Sequence, residues 1–271
     1  MQRLIFCLLI LISLLEITSC ASTNLAVISQ KSYKKEIKQF IKTVKNQVPK
    51  VLDSVPNSSF SQTINFNLRK PNFVIIHHTA QDSLAQTLKT FHLKKTQVSA
   101  HYVIGDDGTV VQMLNDYLRA WHAGAGKWGK NTDINSVSIG IELDNNGAEK
   151  FSDSQIKSLI VLLTRLKKEY NIPVQNFIGH SDIAPERKND PSALFPWKIL
   201  AKSGFGVWHN ETVEPAPINF DYEWALKIIG YDTKNCKAAI LAFKRHFMQT
   251  DSTEIVDQNT LNGIYSILKK Q

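Results

Sequence analysis

The chain has 271 residues, 43% of them hydrophobic and 21% charged, with 32 Lys and Arg against 24 Asp and Glu for a formal net charge of +8. Such a length holds one sizeable catalytic domain plus a smaller module, and the composition is that of an ordinary globular protein, not a disordered or fibrous one. The basic excess suits an anionic partner (nucleic acid, a phospholipid surface or an acidic wall polymer) without choosing among them.

Residues 1–20, MQRLIFCLLILISLLEITSC, set Arg3 before an apolar run too short to span a membrane comfortably and close on small residues and a cysteine. This resembles a lipobox, in which Cys20 becomes the lipidated first residue of the mature protein; the alternative is a plain signal peptide with an incidental cysteine. Both imply export. Ser22 after Ala21 is not the acidic residue associated with inner-membrane retention, so the expected location is the cell envelope, on the periplasmic face of the outer membrane. With Cys7 and Cys20 accounted for, Cys236 stands alone and no intramolecular disulfide is available.

Residues 21–65 form a polar, lysine-rich segment. Seven lysines against Glu36 lie between Lys31 and Lys50, with Ile37, Phe40, Ile41 and Val44 at helical spacing. The pattern predicts an amphipathic helix, either packing on the domain or standing off the membrane. From residue 66 to 212 strands and helices alternate. FVIIH (73–77) is a buried strand, and Asp82 caps a helix running to about residue 93 with Leu84, Leu88 and Phe91 on one face. HYVIGDDGTVVQML carries an Asp-Gly hairpin signal, SVSIGIEL (136–143) is a further buried strand, and Ser152 with Gln155 forms a capping-box pair ahead of Ile156, Leu159, Leu163, Leu166 and Tyr170. FIGH (177–180) is a strand delivering His180. The fold class is therefore α/β, a central mixed sheet flanked by helices. VEPAPINF (213–220) reads as a linker, and 221–271 holds short helical patterns that make a small all-α C-terminal module.

Three strand ends deliver polar groups: His77 and His78, Glu142, and His180. Histidines with a carboxylate suit a catalytic zinc, which would lower the pKa of water from ~15.7 to roughly 7. Taken singly, a histidine at a strand end is more often a hydrogen-bonded structural residue than a ligand, and Glu142 could simply be salt-bridged. His77 and His78 alternate along an extended segment and cannot both face one ion.

Taken together, FVIIHHTA (73–80), WHAG (121–124), SIGIEL (138–143) and GHSDIAPERKNDPSALFPW (179–197) resemble the zinc-dependent N-acetylmuramoyl-L-alanine amidases of the amidase-2 family, whose fold is shared with peptidoglycan recognition proteins. The lipobox and the trailing helices resemble its AmiD-type lipoprotein branch, and the C-terminal residues more loosely resemble a peptidoglycan-binding helical module. The resemblance implies that His77, His180 and Asp190 hold Zn2+, that Glu142 moves the proton and that Lys188 stabilises the oxyanion. His78 is then core packing and Trp197 packing that fixes the ligand loop. Trp121 and His122 lie where the family lines its substrate groove, His122 being equally a structural hydrogen-bonding residue. His101 is read as structural support, and His246 as ordinary. Ser192 and Glu186 stand where the family has glycine. The implied partner is peptidoglycan or muropeptides, with a lipid anchor and no nucleic acid. The implied reaction is cleavage of the bond between N-acetylmuramic acid and L-alanine, in wall turnover or recycling. The competing reading, a non-catalytic peptidoglycan-binding protein on the same fold, goes with loss of a metal ligand, and none is lost here.

Overall fold

The computed structural model describes residues 25–46, 68, 70–210, 213–249 and 253–271. Cys20 and the rest of the 1–20 segment lie outside the described residues, as does much of 21–65. The chain falls into two units, one holding the N-terminal helix and residues 92–96, the other residues 69–91 and 97–271. In the first, helix α1 spans 25–46, and its apolar residues Phe40, Ile41 and Val44 are 51–74% exposed. No helix among the described residues is long and apolar enough to cross a membrane.

The second unit is built on a five-stranded sheet. Its strands are β1 (Phe73–His78), β2 (Tyr102–Ile104), β3 (Val110–Gln112), β4 (Ser138–Leu143) and β5 (Phe177–Gly179), in the order β3-β2-β4-β1-β5. β1 runs parallel to β4 and β5, β2 runs parallel to β4, and β3 is antiparallel to β2. The sheet is mixed because the Asp107-Gly108 turn, with Gly108 at φ +87°, folds β3 straight back on β2. The helices are α2 (Leu84–His92), α3 (Ile134–Val137), α4 (Asp153–Tyr170), α5 (His180–Ile183), α6 (Trp197–Lys202), α7 (Tyr222–Ile229), α8 (Cys236–Phe243) and α9 (Gln258–Leu268).

Both sheet faces are covered. Val74 and Ile76 of β1 and Ile139, Ile141 and Leu143 of β4 pack with Leu159, Leu163 and Leu166 of α4 and with Trp197 and Leu200 of α6. Phe73, Ile75 and Ile178 face the other way and share a core with Leu226, Ile229, Ile240, Phe243, Ile264 and Ile267 of α7, α8 and α9. The C-terminal helices thus supply the second layer for one face of the sheet.

Three local expectations change. Ser83, not Asp82, caps α2: its Oγ accepts from Gln86 N at 3.3 Å, because the chain turns one residue later than the polar pattern suggests. Ser136 and Val137 belong to α3, so β4 starts at Ser138. Only half of the capping box forms. Ser152 accepts from Gln155 N at 3.1 Å, but the buried Gln155 amide is drawn inward to Ile104 O and Asp144 O at 3.0 Å each, fastening α4 to the sheet.

Candidate metal centre and active site

SIGIEL alternates large apolar residues on one face with Ser138, Gly140 and Glu142 on the other. Parallel register sets Phe73 beside Ser138, Ile75 beside Gly140 and His77 beside Glu142, so His77 and Glu142 are lateral neighbours on one face at the carboxyl end of the sheet. Such strand ends are where open α/β sheets build sites. His180 leaves the end of β5 and opens the single turn α5. The loop then returns so that Ser181 N donates to Asp190 O at 2.7 Å, bringing Asp190 back over His180. The Asp190–Pro191 bond is cis.

His77, His180 and Asp190 are all buried and converge. Nδ1 of His77 lies 2.9 Å from Nδ1 of His180, and each lies 3.0 Å from Oδ2 of Asp190. The outer hydrogen bonds fix the tautomers, as bonds at the far nitrogen do for ligand histidines. His180 Nε2 sits 3.1 Å from the carbonyl of Ala123, which only accepts, so Nε2 carries the hydrogen. Ser138 Oγ donates to Ile134 O at 2.6 Å and therefore accepts from His122 Nε2 at 3.2 Å. His122 Nδ1 is then an acceptor for His77 Nε2 at 3.1 Å, which leaves the Nδ1 lone pair of His77 facing inward. Two imidazole lone pairs and a carboxylate oxygen meet at van der Waals contact or closer, an arrangement that only a shared proton or a cation can relieve. Two histidine nitrogens and one carboxylate oxygen, spaced slightly inside the ~3.3 Å expected of tetrahedral ligands about zinc, fit that ion.

Electrostatics follow from burial. Desolvation, then the charge of His180, lowers His77 to about 4, so it is neutral at physiological pH. Burial pushes the Asp190 carboxyl up, but the His180 and His77 rings beside it outweigh this and hold the group below the usual carboxylate range. Burial, and then the Asp190 carboxylate, raise Glu142 to about 8, with the charge of Lys188 pulling the other way. Glu142 Oε2 is buried and without a hydrogen-bond partner among the described residues. The charge of Lys188 lowers Glu142 and opposes protonation of His77 and His78.

The two WHAG residues separate. Trp121 is 53% exposed, whereas His122 is 8% exposed and held by the contacts that orient His77. Asn135 of α3 accepts from the backbone N of both His122 and Ala123, at 3.1 and 2.9 Å. One loop thereby orients the imidazoles of both His77 and His180, through the ring of His122 and the carbonyl of Ala123. The ring of His122 fills the space above Gly140, where a Cβ would lie 2.4 Å from its Cγ. Gly140→Ala should therefore tilt His122 away from His77 and weaken zinc binding by ~10–100-fold, read by chelator competition, because outer partners of ligand histidines carry effects of that size. His78 faces the opposite way, its Nδ1 accepting from Ser192 N at 3.2 Å, and His101 supports Gly140 by accepting from its backbone N at 3.0 Å. Trp197 is buried and stacks on His246 with ring centroids 3.8 Å apart. Sequence reasoning passed over Asp182, a fully buried carboxylate in the loop that follows His180, with its partner Tyr231, and read its other partner His246 as ordinary; nothing in the polar HSD triplet signalled the burial.

Residues 67–193 match the sequence model of the N-acetylmuramoyl-L-alanine amidase family. The chain is 33% identical to the N-acetylmuramoyl-L-alanine amidase AmiD of Escherichia coli strain K12 over 233 residues, covering 73% of this chain and 82% of AmiD. The chain belongs to that amidase family. It is also 41% identical to the 1,6-anhydro-N-acetylmuramyl-L-alanine amidase AmpD of Enterobacter cloacae over 100 residues, 37% of this chain and about half (54%) of AmpD. Among solved structures, E. coli AmiD in complex with the substrate anhydro-N-acetylmuramic acid-L-Ala-D-gamma-Glu-L-Lys superposes with a TM-score of 0.68 at 31% identity, over 77% of this chain and 93% of that one. AmpDH3 of Pseudomonas aeruginosa gives a TM-score of 0.68 at 26% identity, over 80% and 98%.

Proposed function

We propose that the chain hydrolyses the amide between N-acetylmuramic acid and the L-alanine of a peptidoglycan stem peptide, with Zn2+ held by His77, His180 and Asp190. The observation that carries this reading is the meeting of three inward-facing acceptors beside Glu142, whose Oε2 has no hydrogen-bond partner among the described residues, in a chain of the amidase family. Zinc in this position supplies Lewis acidity, polarising a carbonyl and making water a nucleophile at neutral pH. The remaining work falls to the protein. Glu142, whose Oε2 has no hydrogen-bond partner among the described residues, takes the proton from attacking water and returns it to the departing alanine nitrogen. Lys188 places a cation where negative charge develops on the carbonyl oxygen, and removing one such donor typically costs ~3 kcal/mol of barrier. Accordingly Lys188→Met should lower kcat on the order of 10²–10³-fold with little change in zinc content.

In the cell we infer a role in wall turnover or recycling, on peptidoglycan or muropeptides, from a lipid anchor on Cys20 at the periplasmic face of the outer membrane. Purified protein with its zinc content measured, incubated with anhydro and intact muropeptides, tests the reaction: free stem peptide should appear and should stop with EDTA. Bound but uncleaved muropeptide would instead make the protein a binder. Radiolabelled palmitate incorporation that disappears in Cys20→Ser tests the anchor.

A further inference from the structure

Asp182 has no step in the proposed reaction, yet its side chain is fully buried and both its oxygens are hydrogen-bonded. Oδ2 accepts from Gly179 N and from His246 Nδ1, both at 2.7 Å, and Oδ1 accepts from the Tyr231 hydroxyl at 2.7 Å. A carboxylate is tolerated at zero exposure only when its oxygens are satisfied in this way. Gly179 immediately precedes the ligand His180. The other two donors come from 49 and 64 residues further along, Tyr231 just after α7 and His246 in the π-helical turn Lys244–Met248 that extends α8. Turns of that kind rotate side chains off the regular helical face.

Two further contacts fall on the same loop. The His246 ring stacks on Trp197, whose indole lies 3.2 Å from the point where a Cβ on Gly179 would sit. Gln249, held in the left-handed region at φ 61°, donates from Nε2 to Ala193 O at 3.1 Å and to Phe195 O. Polar and aromatic contacts from residues 231–249 thus converge on residues 179–197, the stretch that carries both His180 and Asp190. The apolar core between α7, α8, α9 and the sheet accounts for docking. It does not account for directing Tyr231 and His246 onto one buried carboxylate beside a ligand.

We propose that the C-terminal helices clamp the metal-ligand loop, Tyr231 and His246 acting through Asp182 as positioning residues for His180 and Asp190. The segment 213–271 is then part of the catalytic unit in its own right, whatever else it binds. This rests on the reading of His77, His180 and Asp190 as metal ligands. A site of that kind requires its ligands to be held within about 0.5 Å by the surrounding structure.

The test uses the full chain. Tyr231→Phe removes one hydroxyl and keeps the ring, His246→Leu removes one donor, and His246→Asn restores a donor at similar reach. Lys269→Ala, which breaks an exposed bridge to Glu214, is the control within the same helices. Each protein is measured for zinc affinity by chelator competition, for the visible spectrum of its Co2+ form, and for backbone hydrogen exchange over residues 177–191 without metal. Tyr231→Phe and His246→Leu should weaken zinc binding by ~10–100-fold, alter the cobalt bands and speed the exchange, with His246→Asn and the control close to wild type. Wild-type affinity, cobalt spectrum and exchange rates in Tyr231→Phe and His246→Leu, both folded by circular dichroism, would overturn the clamp. Faster exchange in the variants of a protein that takes up no zinc would support the clamp and remove the metal reading instead.

Discussion

Glu142→Gln should abolish muropeptide hydrolysis to within a residue of about 10²–10⁴-fold below wild type, the scale of general acid–base assistance, while zinc stays bound one per chain. Glutamine keeps the size and one acceptor oxygen of glutamate but cannot take a proton and give it back. Because Glu142 lies beside His77 and not among the three converging acceptors, the exchange leaves the metal ligands intact. Paired zinc analysis and single-turnover kinetics check both halves. A variant within tenfold of wild type would give the proton transfers to another group.

The same substitution should stabilise the metal-free protein. Burial raises the Glu142 carboxyl from its ordinary 4.5 to about 8 in the fold. The unfolded chain releases that proton near pH 4.5 and the metal-free fold near pH 8, so between these values the folded state binds more protons and its stability falls as pH rises. Glutamine has no proton to lose and escapes the decline. In metal-free protein the unfolding free energies of wild type and Glu142→Gln, from denaturant titrations, should therefore sit close together near pH 4.5 and separate towards pH 8, by an amount on the order of 1–3 kcal/mol. Activity and metal-free stability should move in opposite directions at this one position, as is common where a catalytic group is held against its preference.

The convergence of His77, His180 and Asp190 was legible in the sequence because each residue sits in a local motif. IIHH, GHSD and KNDP sit at strand ends and in a loop, and a parallel sheet brings strand ends together without long-range detail. What stayed hidden depends on tertiary approach. His122 gives no local sign that its ring fills the space above Gly140, since two distant glycine and histidine residues reveal nothing until β4 is set beside the WHAG loop. Asp182 sits in a polar triplet that reads as surface loop. Its burial follows from helices more than 40 residues away, and neither Tyr231 nor His246 carries a periodic signal for that contact. At the other extreme, the cap of α2 failed by one residue, Ser83 for Asp82, because both types cap equally well and only the path of the chain decides.

Asp190→Asn is expected to cost more metal affinity than any outer-sphere change, beyond ~100-fold, and to carry activity down with it. Imidazole nitrogens bring no negative charge to a metal, so of the three proposed ligands only Asp190 supplies one, and an amide supplies none. The change should also show in stability. A ligand bound only by the native state adds ~4 kcal/mol at a thousand times its dissociation constant, and 1 kcal/mol moves the melt by roughly 2–4 °C in a domain of 150–250 residues. Stripping zinc from the wild type with EDTA should therefore lower its melting temperature on the order of 10 °C. Asp190→Asn should melt at one temperature with or without the chelator, because it holds little metal to remove. The decisive comparison is the difference between the two EDTA shifts, from which any general destabilisation by the substitution cancels. Equal shifts in both proteins would mean that the stabilising ion sits elsewhere, and would remove Asp190 from the ligand set even if the enzyme had lost its activity.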